Sequence, residues 1–136
     1  MEKSGFFNSL GNDRIYDASD IASFLSKFFT NGIFNNSLKV VANNNMTVTV
    51  EKGSANINGY VYELTDKLNL DIKAADELLD RIDSVILRLD LSERNIKLMI
   101  LEGGLSSEPV SPVITRNNNV YDLRLANITI AAKTVE

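Results

Sequence analysis

Strict alternation of apolar and polar residues predicts a β-hairpin in the second half of the chain. Apolar residues occupy every second position over 85–91 and again over 96–100, and a period of two is typical of a strand with one buried face. The polar tetrapeptide of residues 92–95 suits a four-residue loop built around a type I turn. Because Arg88 and Asp90 fall on the other face of the first strand, we expect a charged outer surface over an apolar inner one.

A helical period is found nearer the N-terminus. Apolar side chains recur at i, i+3, i+4, i+7 and i+8, which places five of them on one helical face: Ile21, Phe24, Leu25, Phe28 and Phe29. The polar run of residues 17–20 supplies an N-cap, and Asn31-Gly32 predicts a left-handed C-terminal cap. An aromatic stripe of this kind is expected to face the core.

Further strands are predicted at 38–42, 46–50, within 54–64, at 68–72 and at 120–132. Gly59 is predicted to mark a bulge or a close backbone approach, and a phase slip near Ala126-Asn127 predicts a bulge in the last strand. Residues 71–79 are ambiguous and could form one or two helical turns before the hairpin. Together the patterns predict an α+β, β-rich fold, an antiparallel β-sandwich-like domain with one N-terminal amphipathic helix, over residues 17–136.

Residues 1–16 precede this domain and are predicted to form an N-terminal arm. The arm is rich in glycine, asparagine and aspartate but carries three aromatic residues, Phe6, Phe7 and Tyr16. These side chains either dock on the arm's own domain or pack on a neighbouring subunit, since exposed aromatics favour interfaces. With Phe28 of the helix, they are the candidate interface residues.

The composition removes the usual catalytic and metal-binding groups. The 136 residues include no cysteine and no histidine, which excludes thiolate chemistry and removes the commonest general base and transition-metal ligand. The net charge is −4 and the basic residues are scattered, unlike the basic stripe of a nucleic-acid-binding protein. No run approaches the roughly 20 apolar residues of a membrane span. We therefore expect no enzyme, no cofactor or metal site, no nucleic-acid partner and no membrane span.

The carboxylates around the hairpin are poorly placed for catalysis. On a regular strand Asp83 and Asp90 point to opposite faces and lie roughly 23 Å apart, beyond the separation of about 5–10 Å that a glycosidase requires. We expect structural ion pairs from Arg81, Asp83, Arg88 and Asp90 instead. Arg88 is expected in an exposed cross-strand pair of little energetic value. The expected partner of Arg81 is an aspartate of the same chain that fixes a loop, and a bidentate lock between subunits stays open.

A second candidate site is a saccharide-binding platform formed by Asn56, Asn58, Tyr60 and Tyr62. Tyr60 and Tyr62 share one face of the predicted strand, which permits stacking on a sugar ring. The alternative is that both tyrosines pack in the domain, which is the commoner role of tyrosine on a strand.

Several short motifs extend over nearly the whole chain: KSGFFNS at 3–9, DRIY at 13–16, FTNGIF at 29–34, MTVTV at 46–50, GSANINGY at 53–60, LDRID at 79–83, LRLD at 87–90 and VYDLRLANI at 120–128. Together they resemble the N-terminal module of siphophage baseplate and tail receptor-binding proteins, of the kind that includes the baseplate upper proteins of phages and prophages from Gram-positive bacteria.

The resemblance implies a virion structural protein made in the bacterial host cytoplasm and located in the phage tail. Such a module oligomerises, as a trimer or hexamer, docks on other tail and baseplate proteins, and anchors receptor-binding parts to the tail tip. In similar proteins the chain continues beyond the segment matching residues 131–136, so we expect either a domain of a longer protein or a short protein without the host-binding tip. The alternative function is a carbohydrate-binding module that recognises host cell-wall saccharide.

Overall fold

A computed structural model describes residues 1–133 of the chain, so the last three residues of the predicted domain lie outside the described part. One helix, α1, spans Ala18–Leu25. The strands are β1 Gly32–Ile33, β2 Val40–Ala42, β3 Thr47–Val50, β4 Gly53–Ile57, β5 Tyr60–Leu64, β6 Leu68–Asp71, β7 Arg81–Asp90, β8 Asn95–Leu101 and β9 Val120–Ile130. They form three antiparallel sheets of three strands, in the orders β1-β4-β5, β2-β3-β6 and β8-β7-β9. The α+β, β-rich, sandwich-like fold class is confirmed.

Helix α1 begins where the sequence predicts and ends earlier. The Asp17 carboxylate accepts hydrogen bonds from the amides of Ser19 and Asp20, while the Asp20 carboxylate accepts one from the Asp17 amide at 2.9 Å. This reciprocal capping box satisfies amides that a helix start leaves unpaired. The predicted C-cap at Asn31-Gly32 is wrong, because the helix closes at Ser26, whose hydroxyl donates to the Ser23 carbonyl at 2.7 Å.

The β4–β5 hairpin replaces the single strand expected within residues 54–64. Asn58 and Gly59 form a two-residue turn with φ of 52° and 87°, the left-handed pair that an Asn-Gly hairpin turn requires. Gly59 is a close-approach site, as predicted, since a Cβ there would lie 1.9 Å from the carbonyl oxygen of Ala22 in α1. It marks a turn rather than a bulge.

The β8-β7-β9 sheet follows the predicted hairpin closely. β7 pairs with β8 from Asp90 opposite Asn95 to Ser84 opposite Leu101. Its pairing with β9 shifts between Val85 and Ile86, whose partners are Ala126 and Arg124. Leu125 is therefore the extra residue of a bulge, next to the position at which the phase slip predicts one.

All three sheets contribute to one apolar core. Its buried members are Leu38, Val48, Val50, Ala55, Ile57, Ile72, Val85, Leu87, Leu89 and Ile130. β7 is the central strand, and its second face is also buried, since Ser84 and Ile86 are fully enclosed. The expected charged outer face is therefore wrong over Ser84 and Ile86, where the loop after β8 covers the sheet and the Arg124 guanidinium bonds to the Pro112 carbonyl. Arg88 and Asp90 remain partly exposed and Lys97 is exposed, so the charged surface is confined to the other end of the hairpin.

Candidate functional site: an exposed aromatic surface

The arm, α1 and the turn after α1 together carry a row of four aromatic rings. The Phe6 ring centroid lies 5.0 Å from that of Tyr16 and 5.2 Å from that of Phe24. Phe24 in turn lies 5.0 Å from Phe28 with the rings at 67°. The two contacts of Phe24 are edge-to-face, an arrangement that is favourable beyond the area it buries. We call Phe6, Phe7, Tyr16, Phe24 and Phe28 the aromatic surface.

The arm is folded back on its own helix. The Tyr16 hydroxyl accepts a hydrogen bond from the Phe7 amide at 2.9 Å, and the Asp13 carboxylate accepts one from the Leu10 amide at 2.7 Å. Phe6 itself has φ of 67°, a conformation that is uncommon for a bulky residue. These contacts hold the ring of Phe6 against Phe24, so the arm docks on its own domain in this structure.

The outer side of the aromatic surface faces solvent. Phe24 is 46% exposed and Phe28 is 67% exposed. The expectation that the aromatic stripe of α1 faces the core is therefore wrong. The helix presents Ala22 to the domain instead, and Ala22 is 4% exposed.

Polar contacts around the β4–β5 turn hold the segment after α1 in place. The Asn58 backbone amide donates to the Asn31 side-chain oxygen at 2.7 Å, and the Asn31 side-chain nitrogen donates to the Asn58 side-chain oxygen at 2.9 Å. Asn56 donates to the carbonyls of Phe29 and Thr30 at 3.5 and 3.2 Å. The two asparagines of the predicted saccharide platform are thus engaged in attaching the helical segment to the sheet.

The predicted platform is not assembled as an open surface. Asn56 is 4% exposed, and Tyr60 and Tyr62 are half-buried against the apolar core. Burial raises the pKa of the Tyr62 hydroxyl, because the charged phenolate is less stable away from water. The two tyrosines have the packing role that was the alternative interpretation.

A cavity of about 510 Å³ lies between the start of α1, β5 and the β7–β8 hairpin. Apolar side chains form most of its wall, and Tyr60 is the one platform residue that reaches it. Three polar residues of the hairpin also line it, Asp90, Arg94 and Asn95. The cavity therefore combines an aromatic ring with hydrogen-bonding groups of both polarities.

The ion pair of Arg81 and Asp83 is buried. Arg81 Nε lies 3.0 Å from Asp83 Oδ1, and the two side chains are 2% and 1% exposed. The Arg81 guanidinium also donates to the carbonyls of Lys73 and Ala74, while Asp83 Oδ1 accepts from the Gly103 amide at 2.9 Å. Arg81 thereby ties the segment before β7 to that strand, and both charges are engaged within the chain.

Arg88 pairs with Asp122 of β9 rather than with Asp90. Arg88 Nε and Nη2 donate to the two carboxylate oxygens at 2.7 and 2.9 Å, the bidentate geometry that carboxylates favour. The pair is cross-strand, as expected, but Asp122 is fully buried, so the expected exposure of the pair is wrong. Burial raises the pKa of Asp122, but the hydrogen bonds from Arg88 and the Thr115 amide together lower it by more. The pKa of Asp122 therefore lies below its usual value. Asp90 instead accepts from the amides of Ser92 and Glu93.

Asp83 and Asp90 stand near opposite ends of β7 and do not meet. Among residues 1–133, the structure contains no group of three or more acidic side chains placed to hold a metal ion. No helix in the same part of the chain is long and apolar enough to cross a membrane. Comparisons of the chain with models of protein families, with curated proteins and with solved structures found no match.

Proposed function

We propose that this protein is a structural module of a phage tail or baseplate, which self-associates and docks on other tail proteins through the aromatic surface. The module acts by shape and buried apolar area, and no bond is made or broken. The short motifs that resemble siphophage baseplate proteins suggest the virion context. The observation that carries an assembly role is the continuous, solvent-facing row of rings on the arm, α1 and the turn after it.

The size of the aromatic surface supports this role. Its four phenylalanines are between 46% and 67% exposed, and a buried aromatic side chain hides about 150–250 Å², so they offer roughly 400 Å² of apolar surface. Apolar patches of about 300–600 Å² are the largest on typical monomers and are often functional. A standard interface buries about 800 Å² per partner, so the aromatic surface would supply about half of one.

Light scattering and sedimentation at increasing protein concentration test the self-association. We expect the wild-type chain to form oligomers, and Phe28→Ser or deletion of residues 1–16 to shift it towards monomer. Leu78→Ser is the matched control, because Leu78 is 85% exposed on a loop outside the aromatic surface. A chain that remains monomeric at high concentration, with or without residues 1–16, would contradict the assembly role.

The virion context needs a separate measurement. Mass spectrometry of phage particles purified from a strain that encodes the chain is expected to detect it with the tail proteins. Its absence from tailed particles, in a strain that expresses the gene, would refute the virion assignment while leaving self-association intact.

One observation favours the alternative function, binding of cell-wall saccharide. The cavity beside Tyr60 offers a ring for stacking together with a carboxylate, a guanidinium and an amide, which are the groups that bind sugar hydroxyls. If saccharide binds there, wild-type protein is retained on host cell walls and Asn95→Ala weakens that retention, while Asn69→Ala on the distant strand β6 does not. Retention that is equal for both variants would exclude this cavity.

A further inference from the structure

The outer edge of β8 makes no backbone hydrogen bonds to the rest of the described chain. β8 is the first strand of the β8-β7-β9 order, so β7 is its one neighbour in the sheet. Within residues 1–133, residues 95–101 make no backbone hydrogen bond outside the β7 ladder. The opposite edge of the sheet is partly covered, since Asp122 and Val120 of β9 bond to Thr115 and Asn117. An open edge of this kind offers unpaired amides and carbonyls to another strand.

The side chains of β8 are incompletely covered as well. Ile96, Leu98 and Ile100 pack against the core but remain partly exposed. On the other face the strand carries a single charge, Lys97, which is exposed, beside the partly exposed Met99. A strand laid along this edge would cover apolar side chains and satisfy backbone groups at the same time.

We propose that β8 pairs with β8 of a second copy of this chain, antiparallel and about a two-fold axis at Leu98. The pairing joins the two three-stranded sheets into one continuous sheet. A two-fold contact uses the same surface on both copies, so a strand must be complementary to itself in reverse. This surface is separate from the aromatic surface, and the proposal does not depend on the proposed function.

The sequence of β8 selects the register. With Leu98 opposite Leu98, all seven strand residues pair, and Ile96 lies opposite Ile100 on the core-facing side. A shift that centres the axis on Lys97 would place two lysines directly opposite each other, which is destabilising. A shift to Met99 would place the carboxylate of Glu102 opposite Ile96.

Charge complementarity supports the same register. Beyond the strand ends, Arg94 in the β7–β8 turn of one copy comes near Glu102 of the other. Glu102 already lies 3.2 Å from Lys73 in its own chain, with its side chain 49% exposed. It therefore has room for a second cation. The two-fold axis repeats this contact at both ends of the paired strands.

Single cysteines test the register directly, because the chain has no cysteine of its own. Directly opposite Cα atoms lie about 4.5–5.5 Å apart, within disulfide reach, whereas diagonal neighbours at about 7–8 Å are not. Under mild oxidation we expect Leu98→Cys to form covalent dimers. Lys97→Cys and Met99→Cys are each expected to form no covalent dimer alone and to cross-link when mixed. Covalent dimers of Lys97→Cys alone, or none from Leu98→Cys, would overturn the proposal.

A pair of charge variants tests the same contact without oxidation. Met99 lies opposite Lys97 of the second copy, so Met99→Glu adds two opposite-charge pairs per dimer and Met99→Lys adds two like-charge pairs. We expect the dimer dissociation constant to fall about 2- to 30-fold for Met99→Glu and to rise by a similar factor for Met99→Lys. Circular dichroism verifies that both variants fold. Equal dissociation constants for the two variants, or a wild-type chain whose only self-association is abolished by Phe28→Ser, would refute pairing at β8.

Discussion

Replacing Gly59 by alanine should detach α1 from the sheet and destabilise the fold substantially. Gly59 sits in the turn of the β4–β5 hairpin with φ of 87°. An alanine Cβ there would lie 1.9 Å from the carbonyl oxygen of Ala22 and 2.5 Å from its carbonyl carbon. Both atoms belong to the backbone of α1, so a rotamer change cannot relieve the contact.

The magnitude has two parts. Left-handed backbone costs an alanine about 1–2 kcal/mol relative to glycine. Relief of the contact requires α1 to withdraw by roughly 1.5 Å to reach ordinary van der Waals distance. Withdrawal uncovers Ala22 and stretches the two hydrogen bonds between Asn31 and Asn58, each worth about 1 kcal/mol. We expect a total loss of about 3–5 kcal/mol.

Urea denaturation followed by circular dichroism measures the change in the free energy of unfolding. Limited proteolysis is a second assay, in which faster cleavage of the segment that joins α1 to the sheet shows that α1 has separated. Gly59→Asn separates the two causes, because asparagine tolerates left-handed backbone but still carries a Cβ. It should recover little of the loss. A Gly59→Ala protein within about 1 kcal/mol of wild type, or full recovery by asparagine, would refute the close-approach argument.

Two further predictions concern the β8-β7-β9 sheet. Gly103→Ala places a Cβ 1.9 Å from the Ile82 carbonyl and displaces the amide that binds Asp83, so we expect a loss of about 2–4 kcal/mol in urea denaturation. Gly104→Ala, which meets nothing within 4 Å, should stay within about 0.5 kcal/mol of wild type, and equal losses for the two glycines would contradict this account. Asp122→Asn breaks the bidentate pair with Arg88 and should lower stability by about 2–3 kcal/mol near neutral pH. Because the native pKa of Asp122 is depressed, the ionised carboxylate stabilises the fold above its unfolded pKa of about 3.9. That stabilisation is lost as the pH falls through the native pKa, so unfolding free energies measured against pH should converge at acidic pH. A constant difference would indicate that the charge of Asp122 does not contribute.

Most of the strands and the fold class could be predicted because a period of two is a local property of the sequence. The two-residue strand β1 is too short to show such a period, and it is not among the predicted strands. The β7–β8 hairpin needs only the alternation over 85–100 and the polar residues between. The bulge at Leu125 could be predicted to within a residue for the same reason, since it interrupts the alternation inside one strand. The sequence also contains the signal for the Asn58-Gly59 turn, because Asn-Gly between apolar runs is typical of a hairpin. The prediction of a single strand within residues 54–64 does not use that signal.

Contacts between segments that are distant in the sequence could not be predicted from local patterns. The partner of Arg88 is Asp122, 34 residues away, across a pairing of β7 with β9 that no local pattern encodes. A charged outer face was expected because alternation identifies two faces of a strand without saying what covers the second one. The sequence signals the buried Asp122 only by placing a charge inside a predicted strand. Such a charge could have suggested an ion pair, but not with which arginine.

The orientation of α1 shows why its apolar stripe misled the prediction of its environment. A helical period identifies the side with the largest apolar residues, and the usual inference is that this side is buried. Here the contact with the sheet is set by backbone proximity at Gly59, where the neighbouring helix residue must be small, and Ala22 meets that condition while Phe24 does not. The large rings are therefore directed away from the domain, and the arm covers only part of them. A helix that is held by its smallest residues while its aromatic residues face outward is suited to hold a partner, which is the physical basis of the assembly role proposed here.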